Sequence, residues 1–247
     1  MLNFITSITP TRTFNLLYII LDTIFVIVLL ILLFIKQKKD TFYFAVFGGI
    51  LYFIVDYGYF YFISGTRTVY INGIECNSIK TGLILLWMSL SYGITNFAFI
   101  WLCLKKDKDL KEFLFLIIGW WLMVPSIAML EGTRNIMTYR TTQSYHSYMA
   151  IILVSGYFIL ILFNLFKLKK VKINLLWLNL IGISVQFSWE FALLINGIRP
   201  LNQSSIITLI INSLLETNLG MPIIYGIFLM LEKYKLNHDL LKKVENV

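Results

Sequence analysis

The sequence predicts an all-α integral membrane protein of seven transmembrane helices, with the N-terminus outside and the C-terminus cytoplasmic. Three observations predict it. Of 247 residues, 58% are hydrophobic, 16% aromatic and only 14% charged, and the mean hydropathy is +0.78. Soluble domains carry about 25% charged residues. Seven stretches each supply the roughly 20 mostly apolar residues that a bilayer-crossing helix needs: 14–35, 41–64, 81–104, 112–130, 147–166, 174–196 and 206–231. The basic residues, finally, are unevenly shared between alternate connections. The longest connections, 65–80 and 131–146, are too short for a folded soluble domain, so the chain reads as a single polytopic membrane domain over 1–247.

Taken in order, each span is apolar with a small polar stripe. The run at 14–35 has no basic segment before it and is longer than the apolar core of a secretory signal, so it reads as a first helix. It places Asn15, Tyr18 and Asp22 at i, i+3 and i+7, on one helical face. The second span carries Tyr52, Asp56 and Tyr59, and the third Ser89, Tyr92 and Asn96. The fourth holds Trp120, Trp121 and Pro125, and the fifth starts beside His146, read as an interfacial residue. In the sixth, Asn179, Gln186 and Glu190 align, and in the seventh Asn212 and Glu216 are one turn apart. Pro222 lacks the N–H that would bond the Asn218 carbonyl four residues earlier.

Orientation follows from the basic residues. The connections after spans one, three, five and seven hold fifteen of the 21 Lys and Arg, among them Lys36, Lys38, Lys105, Lys169, Lys233 and Lys242. The remaining six are Arg12, Arg67, Lys80, Arg134, Arg140 and Arg199. The positive-inside rule therefore places the lysine-rich side in the cytoplasm. The net charge of +8 then reflects topology and attraction to anionic lipid. No nucleic-acid partner is expected, because the lysines are split among short loops.

In this orientation Asp22, Asp56 and Glu190 fall in the outer half and Glu216 near the middle, while the spans contain no Lys or Arg. Charges at bilayer depth are costly and normally face partners in the bundle interior. These acids must therefore be protonated, hold cations, or meet arginines reaching down from the outer side. Such arginines recur. Gly65-Thr66-Arg67, Gly132-Thr133-Arg134 and Gly197-Ile198-Arg199 follow spans two, four and six. With the echoes Thr95-Asn96 against Thr217-Asn218 and Gln143-Ser144 against Gln203-Ser204, the chain reads as one helix plus three hairpin repeats, an arrangement common in transporters. Generic capping explains the same glycines and arginines equally well.

The candidate ligand- or proton-binding residues are therefore Glu190, Glu216, Asp56, Asp22, Gln186, Asn212 and Asn96, with Arg67, Arg134 and Arg199 above them. Hydrogen bonding between helices is the competing role for each of the polar side chains. A site with both signs of charge suits a small zwitterion or a phosphate head group, since arginine offers a planar fork of donors.

Several classes are excluded. The seventh span has no lysine before Lys233 for a retinal Schiff base, and His146 and His238 are too few for a histidine-bound zinc centre. HExxH, GxSxG and phosphate-cradling glycine motifs are absent. Cys76 and Cys103 lie at opposite ends of span three, so neither a disulfide nor a thiolate metal site is implied. No metal or cofactor is expected. The expected partners are membrane lipid and a small polar or zwitterionic ligand, and the expected location is the plasma membrane. The expected function is a small-molecule carrier, proton or cation coupled. An intramembrane enzyme acting on outer-leaflet lipid or an isoprenoid phosphate is the alternative, and a receptor or accessory subunit the third.

Overall fold

A computed structural model describes residues 10–140, 145–166 and 173–245, with the side chains of 203–204 and 235–245 excepted. The echo at Gln143-Ser144 and the lysines at 167, 169, 170 and 172 lie outside the described residues, as do the side chains of Gln203, Ser204, Lys235, Lys242 and Lys243.

Seven helical spans are long and apolar enough to cross a membrane. They are α1 (Leu16–Ile35), α2 (Lys39–Phe53) continued by a π-helical stretch (Ile54–Ile63), α3 (Ser78–Lys105), α4 (Leu110–Met129), α5 (His146–Leu165), α6 (Leu175–Ile195), and a seventh that contains a 3-10 turn. The last consists of α7 (Gln203–Leu215), a 3-10 turn (Asn218–Gly220) and α8 (Met221–Glu245). The expected span 206–231 corresponds to Ser205–Tyr234, and its backbone stays right-handed helical through the 3-10 turn. Pro222 sits in the first turn of α8, where a missing N–H costs little. Asparagines start several helices: Asn15, Asn77, Asn174 and Asn202 each accept a backbone N–H of the first turn, the usual N-cap bond.

One end of the bundle differs from the all-α expectation. Four short strands, β1 (Arg12–Phe14), β2 (Arg67–Ile71), β3 (Ile74–Glu75) and β4 (Ile136–Arg140), form an antiparallel sheet in the order β1-β4-β2-β3. They come from the N-terminal approach to α1 and from the two long connections. The β2 and β4 segments, RTVYI and IMTYR, are rich in β-branched and aromatic residues, which fit a half-buried pleated surface. Asn72 and Gly73 both take positive φ between β2 and β3, as a tight two-residue hairpin turn requires.

Strand alternation gives this sheet an inner face. Arg67 pairs with Arg140, Val69 with Thr138, and Arg12 also with Thr138. Because side chains alternate with period two, Arg12, Phe14, Arg67, Val69, Ile136, Thr138 and Arg140 share one side. Phe14, Val69, Ile136, Thr138 and Arg67 are buried. Tyr70 and Tyr139 meet ring to ring on the opposite face. The other end of the bundle is tied by ion pairs between loops and helix ends: Lys36 with Glu112, Lys38 with Asp107 and Asp109, and Lys105 with Asp40.

The most buried span is α3. It packs closely on α2, where a Cβ on Gly93 would come within 2.5 Å of the Gly49 Cα. Small residues permit this backbone approach, the usual means of tight helix association in lipid. The helices α6 and α7 also form a packed pair, but α4 lies on α1, α6 and α3, while α5 lies against the 3-10 turn, α8 and α7. Two of the three expected hairpins are thus packed pairs, and α4–α5 is not among the closely packed ones. The three glycines before Arg67, Arg134 and Arg199 all adopt positive φ, the conformation of a helix C-terminal cap.

Candidate functional site

Between the sheet and the middle of the seventh span lies a cavity of about 530 Å³. Its charged lining consists of Arg12, Arg67, Arg140, Arg199, Glu190 and Glu216, joined by Tyr92, His146, Thr208 and Asn212. The sheet supplies three of the arginines from its inner face. The fourth, Arg199, is brought near Arg12 because the Thr13 N–H donates to the Ile198 carbonyl at 2.7 Å.

Two carboxylates organise these arginines in pairs. Asp56, buried in the π-helical stretch, accepts from Arg67 Nε at 2.7 Å and from Arg140 Nη2, which is 3.0 Å from each of its oxygens. The Arg67 guanidinium also stacks over the Phe60 ring at 4.3 Å, a favourable cation–π placement. Glu190 on α6 accepts from Arg12 Nη2 at 3.4 Å, and its second oxygen lies 2.7 Å from Arg199 Nη2. That second contact is an ion pair without hydrogen-bond alignment. Each unit of two guanidiniums and one carboxylate carries one net positive charge.

Titration of the sheet arginines reflects this crowding. Burial lowers the Arg67 pKa to about 10, helped by Arg140 and opposed by Asp56. Arg12 is also lowered, chiefly by burial, with Glu190 opposing and Arg140 and Arg199 adding to the drop. Arg140 goes the other way. Burial pulls its pKa down, but Asp56, Glu216 and Glu190 together outweigh that and raise it.

Below the arginines, Gln186 ties three elements together. Its Oε1 accepts from Tyr92 Oη on α3 and from Thr217 Oγ1 at 2.8 Å, and its Nε2 donates to Glu216 Oε2 at 3.0 Å. Glu216 and Thr217 lie just before the 3-10 turn, so the network fixes the cavity floor at that point of the seventh span. Asn218 is held in turn by α5, whose Tyr157 Oη donates to its Oδ1 at 3.4 Å. A Cβ on Gly182 would come within 2.1 Å of that same oxygen.

Among the residues singled out from the sequence, Glu190, Glu216, Arg67, Arg199 and Asn212 line this one cavity, with Gln186 and Asp56 bonded directly to lining residues. Three others lie elsewhere. Arg134 is exposed and donates to the Gly197 carbonyl at 2.6 Å, capping the end of α6. Asp22 is buried where α1 meets α3, beside Ser91 and Trp87. Asn96 is fully buried within α3. Asn15, on the same stripe as Asp22, caps α1 and donates to the Ala128 carbonyl and to Glu131. Helix α1 packs on α4, α3 and α2, so its polar stripe does not join that of α7.

Arg12 and Arg140 were read from the sequence only as charges on the outer side, and His146 only as an interfacial residue. All three line the cavity. The signal that finds the arginines is the period-two alternation of β2 and β4. Among the described residues no three His, Cys, Asp or Glu side chains gather as a metal cluster. Compared with protein-family models, curated proteins and solved structures, the chain matches none. Fold and site therefore define the class on their own: a seven-span helical bundle, closed at one end by a four-stranded sheet, with an arginine-lined cavity between them.

Proposed function

We propose that this chain is a carrier of the plasma membrane whose cavity binds a small solute with an anionic group, alone or as part of a zwitterion. The sheet and the N-terminus face outside and the lysine-rich end faces the cytoplasm, following the distribution of basic residues. The observation that carries this reading is the convergence of four arginines and two glutamates on one cavity of about 530 Å³. Small-molecule sites typically measure about 300–1,000 Å³. The 3-10 turn of the seventh span beside Glu216 supports a carrier in particular, since irregular helical backbone near mid-span contributes to the binding sites of many transporters.

The acids then divide their labour. Glu190 and Asp56 serve as counter-ions that hold arginines in place, and Glu216, beside that turn, is the residue for coupling to a proton or cation. The test is counterflow in proteoliposomes with amino acids, carboxylic acids and phosphate esters. A transported solute is expected, with flux reduced at least about tenfold in Glu216→Gln, the scale of losing one charge-assisted contact. A second reading, an intramembrane enzyme acting on a phosphate-bearing lipid, draws on His146 beside the same arginines, a residue type suited to proton transfer. Turnover in detergent without any gradient would select it over the carrier.

A further inference from the structure

The wall that α7 gives to the cavity is amphipathic. Thr208, Asn212 and Glu216 are polar, but Ile207 and Ile211, one turn apart, line the same space. Ile207 is 51% exposed. It adjoins Ile206, Ile210 and Leu214, which are about half exposed on the outer side of the same helix. The apolar part of the cavity wall is thus continuous with the apolar outer surface of the bundle. Two isoleucines inside a space framed by four guanidiniums are poorly matched to a wholly polar ligand, because their surface gains only when hydrocarbon covers it.

The charges complete the specification. Both arginine–carboxylate units contribute arginines to the cavity lining, and Arg12 and Arg140, one from each unit, lie near each other on the inner face of the sheet. Burial is the main cause of the lowered Arg12 pKa, and the nearby Arg140 and Arg199 charges add to it. An oxyanion between Arg12 and Arg140 relieves their repulsion. Each guanidinium has five donors; Glu190 and Asp56 engage one nitrogen each of Arg12, Arg199 and Arg140, and Arg140 Nε and Arg199 Nε are buried without a hydrogen-bond partner among the described residues. With Glu216 ionised, the whole set of four cations and three anions has a net charge of one positive, which one oxyanion neutralises.

We propose that the cavity takes an anionic amphiphile, with one phosphate or carboxylate head group held between the two arginine units and a hydrocarbon chain laid across Ile207 and Ile211. This rests on the reading of the cavity as the binding site, and it narrows the ligand from any small anion to one with an apolar tail. The head-group chemistry is shared by a membrane lipid and a free phosphate, and chain length separates the two sources.

The experiment is calorimetric titration of the full-length protein in neutral detergent with inorganic phosphate, n-butyl phosphate and n-octyl phosphate, each below its micellar concentration. Affinity is expected to rise along the series, by at least about tenfold from the butyl to the octyl ester, a modest share of the full transfer gain per methylene. The Ile207→Ser/Ile211→Ser double variant should bind inorganic phosphate like the wild type but lose the gain with chain length. Arg199→Gln should weaken all three ligands, and Arg199→Lys should restore part of the affinity.

Equal binding of the three ligands by the wild type would overturn the proposal in favour of a free oxyanion. So would a chain-length gain that survives the isoleucine variants, since the tail would then lie elsewhere. Binding unaffected by Arg199→Gln would overturn the head-group assignment. The carrier reading fails separately. Chain-dependent binding without flux in proteoliposomes would leave the amphiphile site standing and remove the carrier, whereas flux without chain preference would do the reverse.

Discussion

Asp56→Asn is expected to lower the stability of the protein by about 3–5 kcal/mol, the cost typical of removing one partner from a buried ion pair. Asp56 is the shared counter-ion of Arg67 and Arg140, and Arg67 is 4% exposed. Asparagine nearly preserves the shape but leaves two adjacent guanidiniums without the charge that balances them. The same contacts tie the π-helical stretch of the second span to β2 and β4, so the sheet should loosen from the bundle with the pair. The check is the thermal unfolding midpoint in detergent, followed for Asp56→Asn and for Asp56→Asn/Arg67→Met. The double variant should be the more stable of the two, because it removes one of the orphaned charges. A single variant as stable as the wild type would show that these arginines have other sufficient partners.

Glu190→Gln is the second large effect, and it should depend on anions. Glu190 lies between Arg12 and Arg199, and both line the cavity, where solutes can reach them. The variant should lose about 2–4 kcal/mol in low salt, since both arginines lose their carboxylate. A divalent oxyanion such as sulfate should recover much of this by occupying the space beside them, and it should raise the melting temperature of the variant more than that of the wild type. A carboxylate serving to bind protons or cations predicts the opposite. Its removal would leave the protein as stable or more so, with no special response to sulfate.

Much of this architecture is legible in the chain because bilayer thickness imposes a length on apolar runs. The predicted runs 14–35, 112–130 and 206–231 correspond to Leu16–Ile35, Leu110–Met129 and Ser205–Tyr234, and the others agree similarly. Within the seventh span, hydropathy runs unbroken through Glu216 and Asn218, and only the local backbone reveals the 3-10 turn there. The sheet was missed because its strands are two to five residues long, too short to stand out in a window suited to helices. A signal was present all the same. Asn72-Gly73 between VYI and IE is a strong short-range mark of a hairpin.

The site was legible in its chemistry and only partly in its membership. Glu190, Glu216 and Arg199 share the cavity, because acids and arginines placed near the same depth in a low-dielectric interior seek each other. A polar stripe on a helix, however, does not name the neighbour it faces. Asp22 and Asn96 belong to stripes as clear as that of Gln186 and Glu190, yet Asp22 lies where α1 packs on α3, and Asn96 lies fully buried one turn beyond the cavity-lining Tyr92. Arg134 follows the same Gly-x-Arg pattern as Arg67 and Arg199. It remains exposed because its guanidinium is used to cap α6.

The most direct test of the central claim, a solvent-reached cavity of net positive charge beneath the sheet, is the reactivity of a thiol placed on its wall. In a Cys76→Ser background, with Cys103 buried, Thr208→Cys is to be treated with impermeant thiosulfonate reagents of opposite charge in sealed right-side-out vesicles. Modification from the outside is expected, with the anionic sulfonate reacting at least about ten times faster than the cationic ammonium once intrinsic rates are divided out, as field focusing by a positively charged cleft implies. Faster reaction with the cation, or modification only after the vesicles are opened, would contradict it.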